Sequence, residues 1–141
     1  MLKLAQPFFR RQVDRYRKLT TEEPGKFMGF PVLLLTTVGA RSGKEHTHVL
    51  GGFPDGHNAW LVIASNSGAA IHPRWFHNLA KQPDRVWAQV GNRKFKVHVV
   101  SLQGADREAA YARVVKVAPN YGGYLKKTDR EIPVLRVTPE S

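Results

Sequence analysis

Residues 85–100 constrain the fold more than any other stretch. Arg85-Val86-Trp87-Ala88-Gln89-Val90 alternates apolar and polar side chains, Gly91-Asn92 has the composition of a two-residue turn, and Arg93-Lys94-Phe95-Lys96-Val97-His98-Val99-Val100 alternates again. A period of two means extended chain, and two such runs joined by two residues make an antiparallel hairpin with one apolar and one basic face. A sheet built from hairpins has exposed edges unless it closes on itself, so a chain containing this unit is driven toward a small barrel.

The rest of the chain supplies further strands of the same kind. Val32–Thr37 is a short apolar run, Thr47–Phe53 a second strand and Ala59–Ser65 a third rich in β formers. The turn Pro54-Asp55-Gly56 is expected to join the second and third as a hairpin, and Pro133–Thr138 reads as the final strand. Residues 73–82 carry Trp75, Phe76, Leu79 and Ala80 at helical spacing between Pro73 and Pro83. A helix follows from Asp106 to about Ala118, with Tyr111, Val114 and Val115 inward, and after Pro119 a short helix or turn bears Tyr121 and Tyr124. The expected class is mainly β with flanking helices (α+β), without the strand–helix alternation of a dinucleotide-binding sheet.

Residues 1–30 form a separate expected unit, a basic amphipathic helix and loop ahead of the barrel at 31–141. Leu2, Phe8, Phe9, Val13 and Tyr16 are the apolar members of the helix over 2–18, and Pro7 is expected to divide it. Its basic face is either solvated or a peripheral contact with an anionic membrane. With no long apolar run and no cysteine, the expected place is the cytoplasm, with the inner membrane face as the peripheral variant. Disulfides, thiolate catalysis and cysteine-bound metals are excluded. The 22 basic residues exceed the 11 acidic ones by 11, a balance that concentrates anions near the surface.

Four groups carry possible chemistry. Gly39-Ala40-Arg41-Ser42-Gly43-Lys44 sits directly after an apolar strand, where glycines let amides converge on an anion and Arg and Lys add charge; an ordinary basic turn is the alternative. It is not a nucleotide P-loop, because Glu45 stands where a magnesium-binding hydroxyl belongs. Ser65-Asn66-Ser67-Gly68 ends another strand with small polar residues suited to a cofactor contact or to a plain loop. Tyr121 and Tyr124, three apart, share a helical face and offer phenols to a substrate oxygen, or close the edge of the core. His46 and His48 lie two apart on one strand face, but nothing nearby completes a metal site, so no metal is expected.

Taken in order, these segments resemble the deazaflavin-dependent nitroreductase family. The likeness runs through Leu33-Leu34-Leu35-Thr36-Thr37-Val38-Gly39-Ala40-Arg41-Ser42-Gly43, Val62-Ile63-Ala64-Ser65-Asn66-Ser67-Gly68-Ala69, His72-Pro73-Arg74-Trp75-Phe76-His77-Asn78-Leu79, and Tyr121 to Val134. It spans about residues 30–139. The resemblance implies a split β-barrel of the FMN-binding kind and coenzyme F420 as cofactor, with FMN as the alternative. It implies Arg41, Ser42 and Lys44 near the phosphate and anionic tail, with His46 where the family usually has arginine. Ser65, Asn66 and Ser67 would follow the ring, Trp75 and Phe76 would back it, and Tyr121 and Tyr124 would close the substrate side. The implied reaction is hydride transfer between reduced F420 and a quinone, enone or nitro compound. The chain also departs from the family with Val49 for proline and Ala118 for a tyrosine found in some members. A non-catalytic lipid- or flavin-binding barrel at the membrane surface is the second reading those departures raise. Nucleic acid is not expected, because Phe95 alternates inward and leaves the basic hairpin face without a stacking ring. A monomer and a homodimer are both compatible with the sequence.

Overall fold

The computed structural model describes residues 2–27, 29–65, 68 and 70–140, with residues 2–9 described at the backbone only. The chain opens with α1 (Leu2–Arg17), followed by β1 (Lys26–Phe27), β2 (Phe30–Val38), β3 (Glu45–Gly51), β4 (Phe53–Pro54) and β5 (Trp60–Ile63). Next come α2 (Arg74–Lys81), β6 (Trp87–Val90) and β7 (Arg93–Ser101), then α3 (Gly104–Val117), α4 (Asn120–Tyr124) and β8 (Val134–Pro139). The hairpin expected at 85–100 is present, with Val90 opposite Arg93 across the Gly91-Asn92 turn.

All pairings among the described residues are antiparallel, and the main order is β3-β2-β6-β7-β8-β5-β4, with β1 also on β2. The outer members of that order, β3 and β4, are consecutive in the chain and separated only by Gly52. One stretch of chain thus supplies both margins of the sheet, so the sheet must curl until they meet. The result is a split β-barrel. Gly52 sits where a Cβ would stand 2.5 Å from Leu33 Cδ2, so the crossing is made where a side chain has no room. The hairpin expected between the second and third strands is present but short, closed by the Asp55 amide on the Ala59 carbonyl at 2.9 Å, and the body of the second strand has another partner. β3 pairs with β2 along its whole length, from Val38↔Glu45 to Val32↔Gly51, and only Phe53-Pro54 pair with β5. Alternation identifies strands without identifying partners.

Two apolar clusters result from the two faces of the curled sheet. Leu33, Leu35, Trp60, Val62, Val90, Val97, Leu135 and Val137 fill the barrel interior, together with Trp75 and Leu79 from α2. Val32, Leu34, Phe53, Leu61 and Ile63 face outward onto Val13 and Tyr16 of α1, Tyr111 and Val114 of α3 and Tyr121 of α4. α1 runs unbroken through Pro7, contrary to the expected division, because the ring forfeits a single backbone bond near the N-terminal end. Tyr16 fastens it: the phenol donates to the Val32 carbonyl at 2.7 Å and accepts from the Gly91 amide at 3.0 Å.

Candidate functional site

α2 organises the site. Pro73, extended at ψ 152, precedes the first turn, and Trp75 and Leu79, four apart, anchor one face in the barrel. Eight residues make a rod about 12 Å long. The β2–β3 turn is bonded to the C-terminal half of this helix, and the Ser65 segment is linked through Arg130 to His72, two residues before its first turn.

The β2–β3 turn is closed by its own bonds. Gly39 donates to the Lys44 carbonyl at 2.7 Å, Gly43 donates to the Gly39 carbonyl at 3.0 Å with φ of 71°, and Ser42 Oγ accepts from the Lys44 amide at 3.2 Å. The Ala40 amide donates to Asn78 Oδ1 at 3.2 Å and Gln82 Nε2 donates to the Gly39 carbonyl at 3.4 Å, which docks the turn on the C-terminal half of α2. The His46 ring leans over the same turn, its Nε2 3.1 Å from where a Gly39 Cβ would stand. Arg41 and Lys44 are exposed, and among the described residues neither has an acidic partner.

The segment after β5 meets the other end of α2. Ala64 donates to the Pro133 carbonyl at 3.0 Å, and Ser65, itself buried, accepts from the Gly68 amide at 2.9 Å. Arg130 stitches this segment to the helix entry. It donates to the Ser65 carbonyl at 2.7 Å, to the Ala64 carbonyl through both Nη atoms at 3.3 Å, and through Nη1 to His72 Nδ1 at 2.9 Å. The His72 ring in turn lies 4.9 Å from Phe76, which is half-buried. Asn66 and Ser67 lie outside the described residues.

α4 closes onto the same segment. Gly68 holds φ at 79°, and a Cβ there would stand 2.9 Å from Lys127 Cβ and 3.3 Å from Tyr124 Cα. The two tyrosines differ sharply. Tyr121 is buried among Phe30 and Phe53, with ring centroids 6.1 and 5.6 Å away, and its hydroxyl lies 2.7 Å from where a Gly51 Cβ would be. Burial, with Tyr124 and Tyr111 adding to it, pushes its phenol up to about 12. Tyr124 is half-buried; its hydroxyl takes a 3.2 Å bond from Asn120 Nδ2 and its ring has Lys127 Nζ 5.8 Å from the centroid.

Of the residues expected at the site, Arg41, Ser42, Lys44 and His46 share the turn docked on the C-terminal half of α2, Ser65 is linked to the α2 entry and Phe76 through Arg130 and His72, and Tyr124 stands beside Gly68. Trp75 points into the barrel and backs the helix from inside, and Tyr121 belongs to the outer core. Arg130, Lys127 and Asn78 join the site without having been singled out. In sequence Arg130 and Lys127 sit in the charged run Lys126-Lys127-Thr128-Asp129-Arg130-Glu131, whose pattern looks like solvated surface. Ala118, the position of the family's extra tyrosine, is only 1% exposed, so a ring there would have to enter the core. Grooves of about 250 and 410 Å³ lie elsewhere, one against α1 at Tyr16, Phe27 and Val49, the other beside Trp87, Lys94 and Lys96; neither is lined by Arg41, Ser65 or Tyr124. Among the described residues no three metal-ligating side chains cluster, and no helix is long and apolar enough to cross a membrane.

These features fit an anionic cofactor of the F420 type on two counts. Cations on a turn already closed by its own hydrogen bonds meet a negative tail with little reorganisation. Thr37, directly across the β2–β3 ladder from His46, keeps its buried hydroxyl without a partner among the described residues. Such an unmade bond costs about 1–3 kcal/mol, and a neighbouring functional site is one of the reasons such a group is kept.

Comparison with known proteins agrees. The family model of the F420H(2)-dependent quinone reductases matches residues 8–139. An F420H(2)-dependent quinone reductase of Mycobacterium tuberculosis (strain ATCC 25618 / H37Rv) is 37% identical over 113 residues, covering 77% of this chain and 73% of its own. The solved structure of an F420-H2 dependent reductase (FDR-A) is similar at 34% identity and a TM-score of 0.68, over 76% of this chain and 93% of that one. A domain-swapped dimer is similar at 32% identity and a TM-score of 0.71, over 91% and 95%. The chain belongs to the F420H(2)-dependent quinone reductase family.

Proposed function

We propose that this protein reduces quinones with F420H2, holding the cofactor along α2 between the Arg41 turn and the Ser65 segment. The observation that carries this placement is that the Arg41 turn is bonded to Asn78 of α2, while Arg130 links the Ser65 segment to His72 just ahead of the same helix. Arg41 and Lys44 attract the phosphate and tail, Ser42 shapes their turn, and His46 stands beside it. Ser65 and Phe76 line the ring end, with Trp75 holding the helix against the barrel.

The reduced cofactor supplies a hydride, and a quinone that accepts it needs one proton to become a hydroquinone. Tyr124 is the phenol available to that oxygen. It stands beside Gly68, and Asn120 and Lys127 hold its hydroxyl and ring. Tyr121 supports it from below, in edge contact at 5.3 Å, and is too buried and too weak an acid to release a proton. On this reading Tyr124 alone of the expected tyrosine pair meets the substrate. The test is anaerobic mixing of purified protein with reduced F420 and menadione, followed at the cofactor's absorbance. Menadione-dependent oxidation of F420H2 with saturable cofactor binding is expected; no binding at micromolar cofactor and no turnover would defeat the reading.

A further inference from the structure

We infer that Arg130 is a positioning residue that fixes both the backbone and a histidine tautomer at the ring end of the site; the cofactor part of this inference rests on the proposed function above. Among the described residues, the Nη groups of the guanidinium have three acceptors. Both groups meet the Ala64 carbonyl, Nη2 also meets the Ser65 carbonyl and Nη1 also meets His72 Nδ1. A guanidinium only donates and stays charged at all ordinary pH, so Nδ1 must offer a lone pair. His72 is therefore neutral, with its proton on Nε2. Burial, the Arg130 charge and His77, whose ring is 5.9 Å away, all act in the same direction, pushing the imidazole below its usual range.

One side chain thus holds three acceptors from two chain segments in one plane. Its own segment is anchored in turn. Ala64 donates back to the Pro133 carbonyl, and buried Arg107 of α3 donates to the Ile132 carbonyl through Nε at 3.2 Å and Nη2 at 2.7 Å. Arg130 therefore transmits the rigidity of the α3–β8 connection to the exit of β5 and the entry of α2. The carbonyls of Ala64 and Ser65 are turned toward the guanidinium, and His72 keeps a single donor, its Nε2–H. Lysine cannot replace this arrangement, because one ammonium cannot bridge acceptors that the planar fork spans.

The experiment compares wild type with Arg130→Lys and Arg130→Gln. Long-range ¹H–¹⁵N correlation spectra of the ligand-free protein read the His72 tautomer, and steady-state kinetics with F420H2 and menadione separate KM from kcat. At pH 8 wild-type His72 should show the Nε2–H form alone. Arg130→Gln should show mixed tautomers and a raised His72 pKa, and Arg130→Lys, which keeps a charged donor, a smaller change of the same kind; in both, the KM for F420H2 should rise about tenfold with kcat changed less. An unchanged tautomer in both variants overturns the inference. A changed tautomer with unchanged KM overturns the positioning role. If wild type neither binds nor oxidises F420H2, the proposed function falls and takes the cofactor half with it, while the tautomer half is decided by the spectra. If both arginine variants unfold, His72→Phe carries the kinetic test, since it keeps the carbonyl bonds and removes only the acceptor. It should raise KM severalfold, and an unchanged KM overturns the role.

Discussion

Tyr121 and Tyr124 are three residues apart on one short helix, yet their surroundings give them different chemistry. Because the Tyr121 phenol is pushed up to about 12 from 10, the folded chain keeps a proton that the unfolded chain releases near pH 10. Stability present below pH 10 should therefore fall as pH rises from 10 to about 12, at up to about 1.4 kcal/mol per unit. Denaturant melts across that window check the slope, and Tyr121→Phe should lessen it, leaving the share of Tyr16 and Tyr111, whose phenols burial also pushes up. Tyr124→Phe should instead lower kcat with menadione by about tenfold to a hundredfold, the range of one lost hydrogen bond to a charged group, while leaving the melting temperature nearly unchanged. At the turn, His46→Arg restores a full charge beside Arg41 and Lys44. It should tighten F420 binding by about tenfold or more in a fluorescence titration. The closed turn that carries Arg41, Ser42 and Lys44 was legible in the sequence as glycines and cations after an apolar strand, a pattern that suits an anion turn or an ordinary basic turn. Arg130 was not, since its acceptors are backbone carbonyls more than sixty positions away that only the closed barrel brings near.

At the scale of elements, the β6–β7 hairpin was legible because alternation and a two-residue turn determine each other. β1 and β4, two residues each, are too short to carry any period. The partner of β3 was hidden for a different reason: the chain changes sheet margins at Gly52, and no pattern marks a change of partner. Gly91 joins three elements. It holds φ at 58°, accepts from Gln89 Nε2 at 2.9 Å, donates to Tyr16 Oη, and lies so close to Glu22 that a Cβ would strike that residue's carbonyl. Gly91→Ala should therefore cost about 2–4 kcal/mol, combining left-handed strain with a backbone collision, and should loosen α1 from the barrel. Chemical denaturation together with amide exchange at residues 12–17 measures both effects.

For the molecule as a whole, the excess of 11 positive charges should draw the anionic cofactor in from solution. Raising ionic strength from about 0.01 to about 1 M shortens the screening length from about 30 to about 3 Å, so F420 affinity should weaken severalfold over that range. One cofactor should span both ends of α2, and titration of ¹⁵N-labelled protein with F420 reads this directly. Saturable shifts should appear together at residues 40–46, at Ser65 and Gly68, at His72 to Asn78 and at Tyr124. Shifts confined to the α1 groove around Tyr16 and Phe27, or to the hairpin around Trp87 and Lys94, would contradict the account.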